Sequence, residues 1–133
     1  MVVVDTNVLA YLLIAGDRTR EVQALFARDA EWRSESFILV ELSNLLVTYV
    51  RTGALTRRQA DDLLAEATKL MRGLISVPHR RALGVALDHG VSAYDARFLA
   101  AAETLRARLV TEDTRLRLAA PTRTLSVAEA LAF

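Results

Sequence analysis

The chain opens on three consecutive β-branched residues, Val2-Val3-Val4, and the run stops at Asp5. An uninterrupted stretch of this kind suits a strand covered on both faces, as in a parallel sheet, rather than one alternating between core and water. Asp5-Thr6-Asn7 follow, three residues whose short polar side chains cap helices. The apolar segment from Val8 to Ile14 then reads as a helix. A buried strand, a polar turn and a helix form the first unit, and the same order returns along the chain.

Gly16-Asp17 turns the chain, and Arg20 to Arg28 reads as a second helix with Val22, Leu25 and Phe26 inward. Glu31 to Glu35, holding Trp32, is a candidate strand. Ser36 opens a long helix to about Arg51, stopped by Gly53. Thr56-Arg57-Arg58-Gln59 fits a capping box and starts a helix reaching about Met71. Gly73 ends it, and Leu74 to Val77 is β-like. His79 to Gly90 reads as helix, and Ser92 caps another that reaches about Arg106. Arg108 to Thr111 is a strand, followed by a turn, a short strand at Arg123 to Leu125 and a closing helical turn or two at Ser126 to Leu131. Strands alternating with helices predict an α/β fold with a mainly parallel sheet, in one domain over residues 1–133. In such folds ligands bind beyond the carboxyl ends of the strands.

Composition narrows the chemistry. With no Cys, thiol nucleophiles and thiolate zinc sites are excluded, and two His ten residues apart, His79 and His89, form no recognisable ligand pair. Five glycines with no GxGxxG or Walker pattern argue against nucleotide cofactors and NTPases. Of the 17 basic residues only Lys69 is Lys. Arg forks match phosphate and carboxylate, although a GC-rich coding bias also enriches Arg. No apolar run is long enough to span a membrane, and the apolar start lacks a basic leader region, so a soluble cytoplasmic chain is expected.

Four acids stand in apolar or capping contexts. Asp5 ends the first strand, where it either caps the next helix or faces a site. Glu41 lies in the nearly apolar segment Phe37-Ile38-Leu39-Val40-Glu41-Leu42-Ser43-Asn44-Leu45-Leu46. A carboxylate there needs a cation, either a metal or a buried Arg. Asn44, three residues on, shares its face. Asp95 sits at the third position after Ser92, where a helix dipole alone would favour it. Asp113 follows Thr111 at a strand-to-turn junction, where turn chemistry would also explain it; Glu112 beside it is expected on the exposed side. Gathered in one pocket, these carboxylates would repel unless a cation neutralised them. Oxygen ligands alone select Mg²⁺ or Mn²⁺, the ions of phosphate chemistry.

The opening VVVDTNVLAYLL, the mid-chain LVELSNLL and the segment VSAYDARFLAAAETLRARLVTEDTRL, in that order, resemble the PIN domain. Within that family the chain is similar to VapC-type toxins of bacterial toxin–antitoxin pairs. The resemblance implies a three-layer α/β/α fold with a central five-stranded sheet and a Mg²⁺- or Mn²⁺-dependent endoribonuclease. It places Asp5, Glu41, Asp95 and Asp113 at the family's four acids, as metal ligands. Thr6 and Asn7 match the polar pair after the first acid, and Thr111 the Ser/Thr before the last; with Asn44 they are expected to position substrate. The expected reaction hydrolyses the phosphodiester in line, leaving a 5′-phosphate and a 3′-hydroxyl. Arg97 is expected to pair with an acid elsewhere rather than with RNA. The implied partners are RNA, a cognate antitoxin that fills a groove between helices, and a second copy in a homodimer. More apolar residues than one core-facing stripe needs, on Val8–Ile14 and Phe37–Tyr49, leave room for such a partner. A catalytically silent PIN-fold module that binds RNA or protein is the alternative. A response-regulator reading fails because the first strand ends in a single acid and no late Lys is present.

Overall fold

Local cap chemistry decides where five of the eight helices begin. In the computed structural model, which describes residues 1–133, strand β1 is Val2–Val4 and helix α1 is Thr6–Leu13. The helix starts two residues earlier than expected because Asp5 is itself the cap, its Oδ1 accepting from the Val8 N–H at 3.2 Å. Then come α2 (Thr19–Arg28), β2 (Trp32–Glu35), α3 (Phe37–Arg51) and α4 (Arg57–Leu70). Gly53, with φ +81°, provides the left-handed turn after α3. The capping box at α4 has both of its bonds, Gln59 N–H to the Thr56 hydroxyl and Thr56 N–H to the Gln59 carbonyl.

The second half runs β3 (Gly73–Ile75), α5 (His79–His89), α6 (Ala93–Thr104), β4 (Leu109–Val110), α7 (Thr114–Ala119), β5 (Thr124–Leu125) and α8 (Val127–Ala132). Helix α7 replaces what the sequence presents as a turn. It is only six residues long and depends on Asp113, whose Oδ1 accepts from the N–H groups of Arg115 and Leu116.

All five strands form one sheet in the order β3-β2-β1-β4-β5, and every pairing is parallel. Consecutive strand residues point to opposite faces. Val3 and Val4 are both fully buried, so helices cover the sheet on both sides and the architecture has three layers. The chain starts in the middle at β1, builds outward to β3, then returns to lay β4 against the free side of β1. The strand order therefore reverses between β1 and β4, and a crevice opens at their carboxyl ends. No helix is long and apolar enough to cross a membrane.

Strand β2 shows how tertiary contacts override a weak local signal. Three of its four residues are polar, and each finds a partner. The Ser34 hydroxyl donates to the Val4 carbonyl at 2.7 Å, and Arg33 Nε donates to the Gly73 carbonyl at 2.7 Å. The side chain of Arg33 occupies the space a Cβ would fill at Gly73, so β3 approaches β2 closely only because residue 73 is glycine.

Candidate active site at the carboxyl ends of β1 and β4

The crevice at the reversal point is a cavity of about 570 Å³. Each acid reaches it from a different element. Asp5 comes from the end of β1, Glu41 from the second turn of α3, Asp95 from the first turn of α6 and Asp113 from the cap of α7. Thr6, Asn7 and Asn44 line the same cavity.

The short polar bonds around the acids hold them in place. Asp5 is buried; one carboxylate oxygen caps α1 and the other accepts from the Thr111 hydroxyl at 2.5 Å. Thr111 is fully buried and its oxygen also accepts the Asp113 N–H at 3.1 Å. One hydroxyl at the end of β4 thus orients two acids and faces no cavity itself. The Thr6 hydroxyl donates to Glu41 Oε1 at 2.6 Å, tying α3 to α1. Ser92 caps α6 by accepting the Asp95 N–H at 3.0 Å, and the Asp95 carboxylate lines the cavity.

None of the four acids makes an ion pair with an Arg, Lys or His. Electrostatics records that deficit. Burial, helped by the charges of Asp95 and Asp113, raises the Asp5 pKa to about 6, against the bonds from Thr111 and Val8. Burial and the neighbouring Asp113 also push Asp95 above the ordinary carboxylate range, partly offset by Ser92 and Arg115. The pocket is short of positive charge, and all its charged donors are carboxylate oxygens. That chemistry fits a hard divalent cation. No three acidic or histidine side chains stand close enough to form a ligand cluster by themselves.

The buried glutamate–arginine pair weighed for Glu41 exists, but at Glu35. That residue, at the end of β2, is fully buried and was not singled out by the sequence reading. Its Oε2 accepts from Arg97 Nη1 at 3.1 Å and from the Val77 N–H at 3.0 Å; its Oε1 accepts from the Phe37 N–H at 2.7 Å. Burial alone would raise its pKa. The backbone N–H groups of Phe37 and Val77, with Arg97 and Ser36, outweigh burial and hold it below the ordinary value. Glu35, not Ser36, therefore caps α3, and Arg97 pairs with an acid away from the cavity, as expected. Glu112 departs from expectation: its side chain is 8% exposed, because its carboxylate accepts from the Val127 N–H and pairs with Arg18.

The cavity wall also holds residues the sequence reading passed over, chiefly Phe37 and Tyr94. Their rings stack at 5.6 Å with 20° between planes. Tyr94 directly precedes Asp95, and an aromatic beside a candidate acid was the available signal.

A pocket of four acids at the reversal point of an all-parallel sheet is the feature by which the chain can be placed. Residues 2–120 match the PIN domain family, and the chain belongs to it. It is 28% identical over 118 residues to Ribonuclease VapC3 of Pyrobaculum aerophilum, a match spanning 86% of this chain and 90% of that protein. A crystal structure of a Pyrobaculum aerophilum protein superposes with a TM-score of 0.78 at 22% identity, over 98% of this chain and 92% of that one. A toxin–antitoxin complex from Klebsiella pneumoniae superposes with a TM-score of 0.70 at 21% identity, over 96% of this chain and 98% of that one. The fold and family expected from the residues are thereby met.

Proposed function

We propose that this chain is a metal-dependent endoribonuclease acting as the toxin of a toxin–antitoxin pair. The observation that carries the reading is the convergence of Asp5, Glu41, Asp95 and Asp113 on one cavity with no ion pair to any of them. The relationship to Ribonuclease VapC3 and the likeness to a chain of a toxin–antitoxin complex support it.

Asp5, Asp95, Glu41 and Asp113 would hold Mg²⁺ or Mn²⁺. When bound, such an ion neutralises phosphate oxygens, makes a water more acidic and stabilises the charge developing in hydrolysis. The chain's own residues do the rest. Thr111 keeps Asp5 and Asp113 oriented from below, and Thr6 keeps Glu41 turned toward the cavity. The amides of Asn7 and Asn44, on exposed rims of α1 and α3, are placed to hydrogen-bond RNA backbone or ribose.

The expected partners have surfaces to meet. Helix α3 leaves Val40 and Val47 exposed, room for an antitoxin segment beside the cavity. Helix α1 leaves no large apolar side chain fully exposed, so its excess apolar residues serve the core. Leu83 and Leu87, one turn apart on α5 and both exposed, offer a patch for a second copy.

The test is cleavage of a total-RNA or tRNA pool by the purified chain, with and without Mg²⁺ or Mn²⁺, beside its Asp5→Asn variant. Discrete fragments requiring both metal and Asp5 are expected. A folded chain that binds Mn²⁺ and cuts no RNA would instead be a silent binding module.

A further inference from the structure

The acidic cavity adjoins a second one of about 740 Å³, and the wall between them is made by Phe37, Val40 and Tyr94, which line both. Tyr94 is 62% exposed, yet its ring is not free: it lies against Phe37, whose backbone N–H is bonded to the buried Glu35 carboxylate. An exposed aromatic held against a second ring presents a preset flat surface to solvent.

The second cavity differs in chemistry from the first. Its one strong cation, Arg97, is already spent on Glu35 and on the Val77 carbonyl. Arg97 Nη2 also meets His79 Nδ1 at 2.5 Å, and because guanidinium only donates, Nδ1 accepts and the imidazole proton lies on Nε2. The remaining polar groups are the hydroxyls of Ser36, which donates to Glu35 Oε1 at 3.1 Å and keeps its acceptor lone pairs, and of Ser76, 3.0 Å from it. Such a wall lacks a free charge for phosphate but offers neutral donors and acceptors beside an aromatic face. Unpaired RNA bases are recognised by that combination: stacking on an aromatic ring, with hydrogen bonds to the base edge.

We infer that Tyr94, backed by Phe37, is a stacking platform for an unpaired nucleobase next to the scissile phosphate, and that Ser36, Ser76 and His79 face the edge of that base. The inference rests on the ribonuclease reading and adds a substrate-binding residue and the class of group it takes. The ring borders the acidic cavity directly, which favours the substrate over a protein partner as its occupant.

Two measurements test it. In steady-state cleavage of single-stranded RNA, Tyr94→Ala raises KM about tenfold with kcat little changed, since base–aromatic stacking is sequence-tolerant binding energy. Tyr94→Phe and Tyr94→Trp restore KM. In the Asp5→Asn background, Tyr94→Trp places an exposed indole at the platform, while Trp32 is buried. Short randomised single-stranded RNA should quench that indole saturably, and an abasic ribose-phosphate chain of equal length should not. Wild-type KM in Tyr94→Ala, or equal quenching by the abasic chain, overturns the platform while leaving the nuclease standing. Loss of antitoxin binding alone in Tyr94→Ala overturns it too, by assigning the ring to a protein partner. A wild-type chain that neither cuts nor binds RNA removes both readings.

Discussion

Replacing Asp5 with Asn should abolish cleavage and at the same time make the metal-free protein more stable. Asp5 is buried and its pKa is raised from 3.8 to about 6, chiefly by burial. At about 1.4 kcal/mol per tenfold change in proton affinity, holding this carboxylate ionised in the fold costs about 3 kcal/mol. The folded state binds the proton more tightly than the unfolded chain. Stability linked to Asp5 is therefore fully present below 3.8, declines as pH rises, and is lost above about 6. Asn keeps the acceptor for the Val8 N–H and can donate to the Thr111 oxygen, so the local bonds survive without the charge. In EDTA the variant should melt above the wild type at about pH 8, by roughly 10 °C if the whole 3 kcal/mol is recovered in a chain of this length. The gap should close as pH falls toward 4. Asp95, whose pKa is raised by its own burial and by Asp113, contributes a slope of the same sign in both proteins, so the difference reports Asp5 together with its repulsion from Asp95 and Asp113. Melting curves across this range decide the matter. A gap independent of pH, or a variant less stable than wild type at about pH 8, would refute the charge-deficit argument for the cavity.

Adding Mn²⁺ should raise the wild-type melting temperature, by up to about 2.7 kcal/mol of stability at a hundredfold excess over Kd, and much less in Asp5→Asn; an equal shift in both would place the ion elsewhere. Thr111→Val keeps the shape of the side chain but removes the hydroxyl that orients Asp5 and Asp113. Metal affinity measured by calorimetry should then fall roughly 10–100-fold, as loss of a ligand's supporting bond typically does. Unchanged affinity would mean that the acids hold their own orientation. Arg97→Ala leaves Glu35 buried without its cation and should destabilise the protein by about 3 kcal/mol in urea unfolding. Because the Glu35 pKa lies below its ordinary value, the stability it contributes is present above the ordinary carboxylate range and is lost as pH falls below it; flat stability of the wild type through that acid range would contradict the pairing.

Residues with strong local chemistry could be read directly. The capping box at Thr56, the cap at Ser92 and the stop at Gly53 all act within a few residues of themselves, and the helix starts and stop they set lie where spacing puts them. Helix α7 was hidden because it is short and is held by a single carboxylate in a stretch rich in turn formers. Strand β2 was only a candidate because its polar residues are explained by partners some 30 to 40 residues away. Glu35 and Glu41 lie six residues apart around the start of α3, and only their surroundings tell them apart: one faces Arg97, the other the cavity.

By itself the amino-acid sequence determined the buried first strand and the alternation of strands and helices, and it singled out the four acids that line one cavity. These follow from periodicity, cap geometry and residue type, which are local. The tertiary structure decided that β4 returns to lie against β1, 106 residues separating Asp5 from Thr111 along the chain. It also decided that Arg97 is consumed by Glu35 and that Tyr94 lies flat on Phe37 beside the acids. Such choices rest on strand order and on which buried charge meets which partner. They arise from the packing of segments distant in sequence, where no local pattern carries the information.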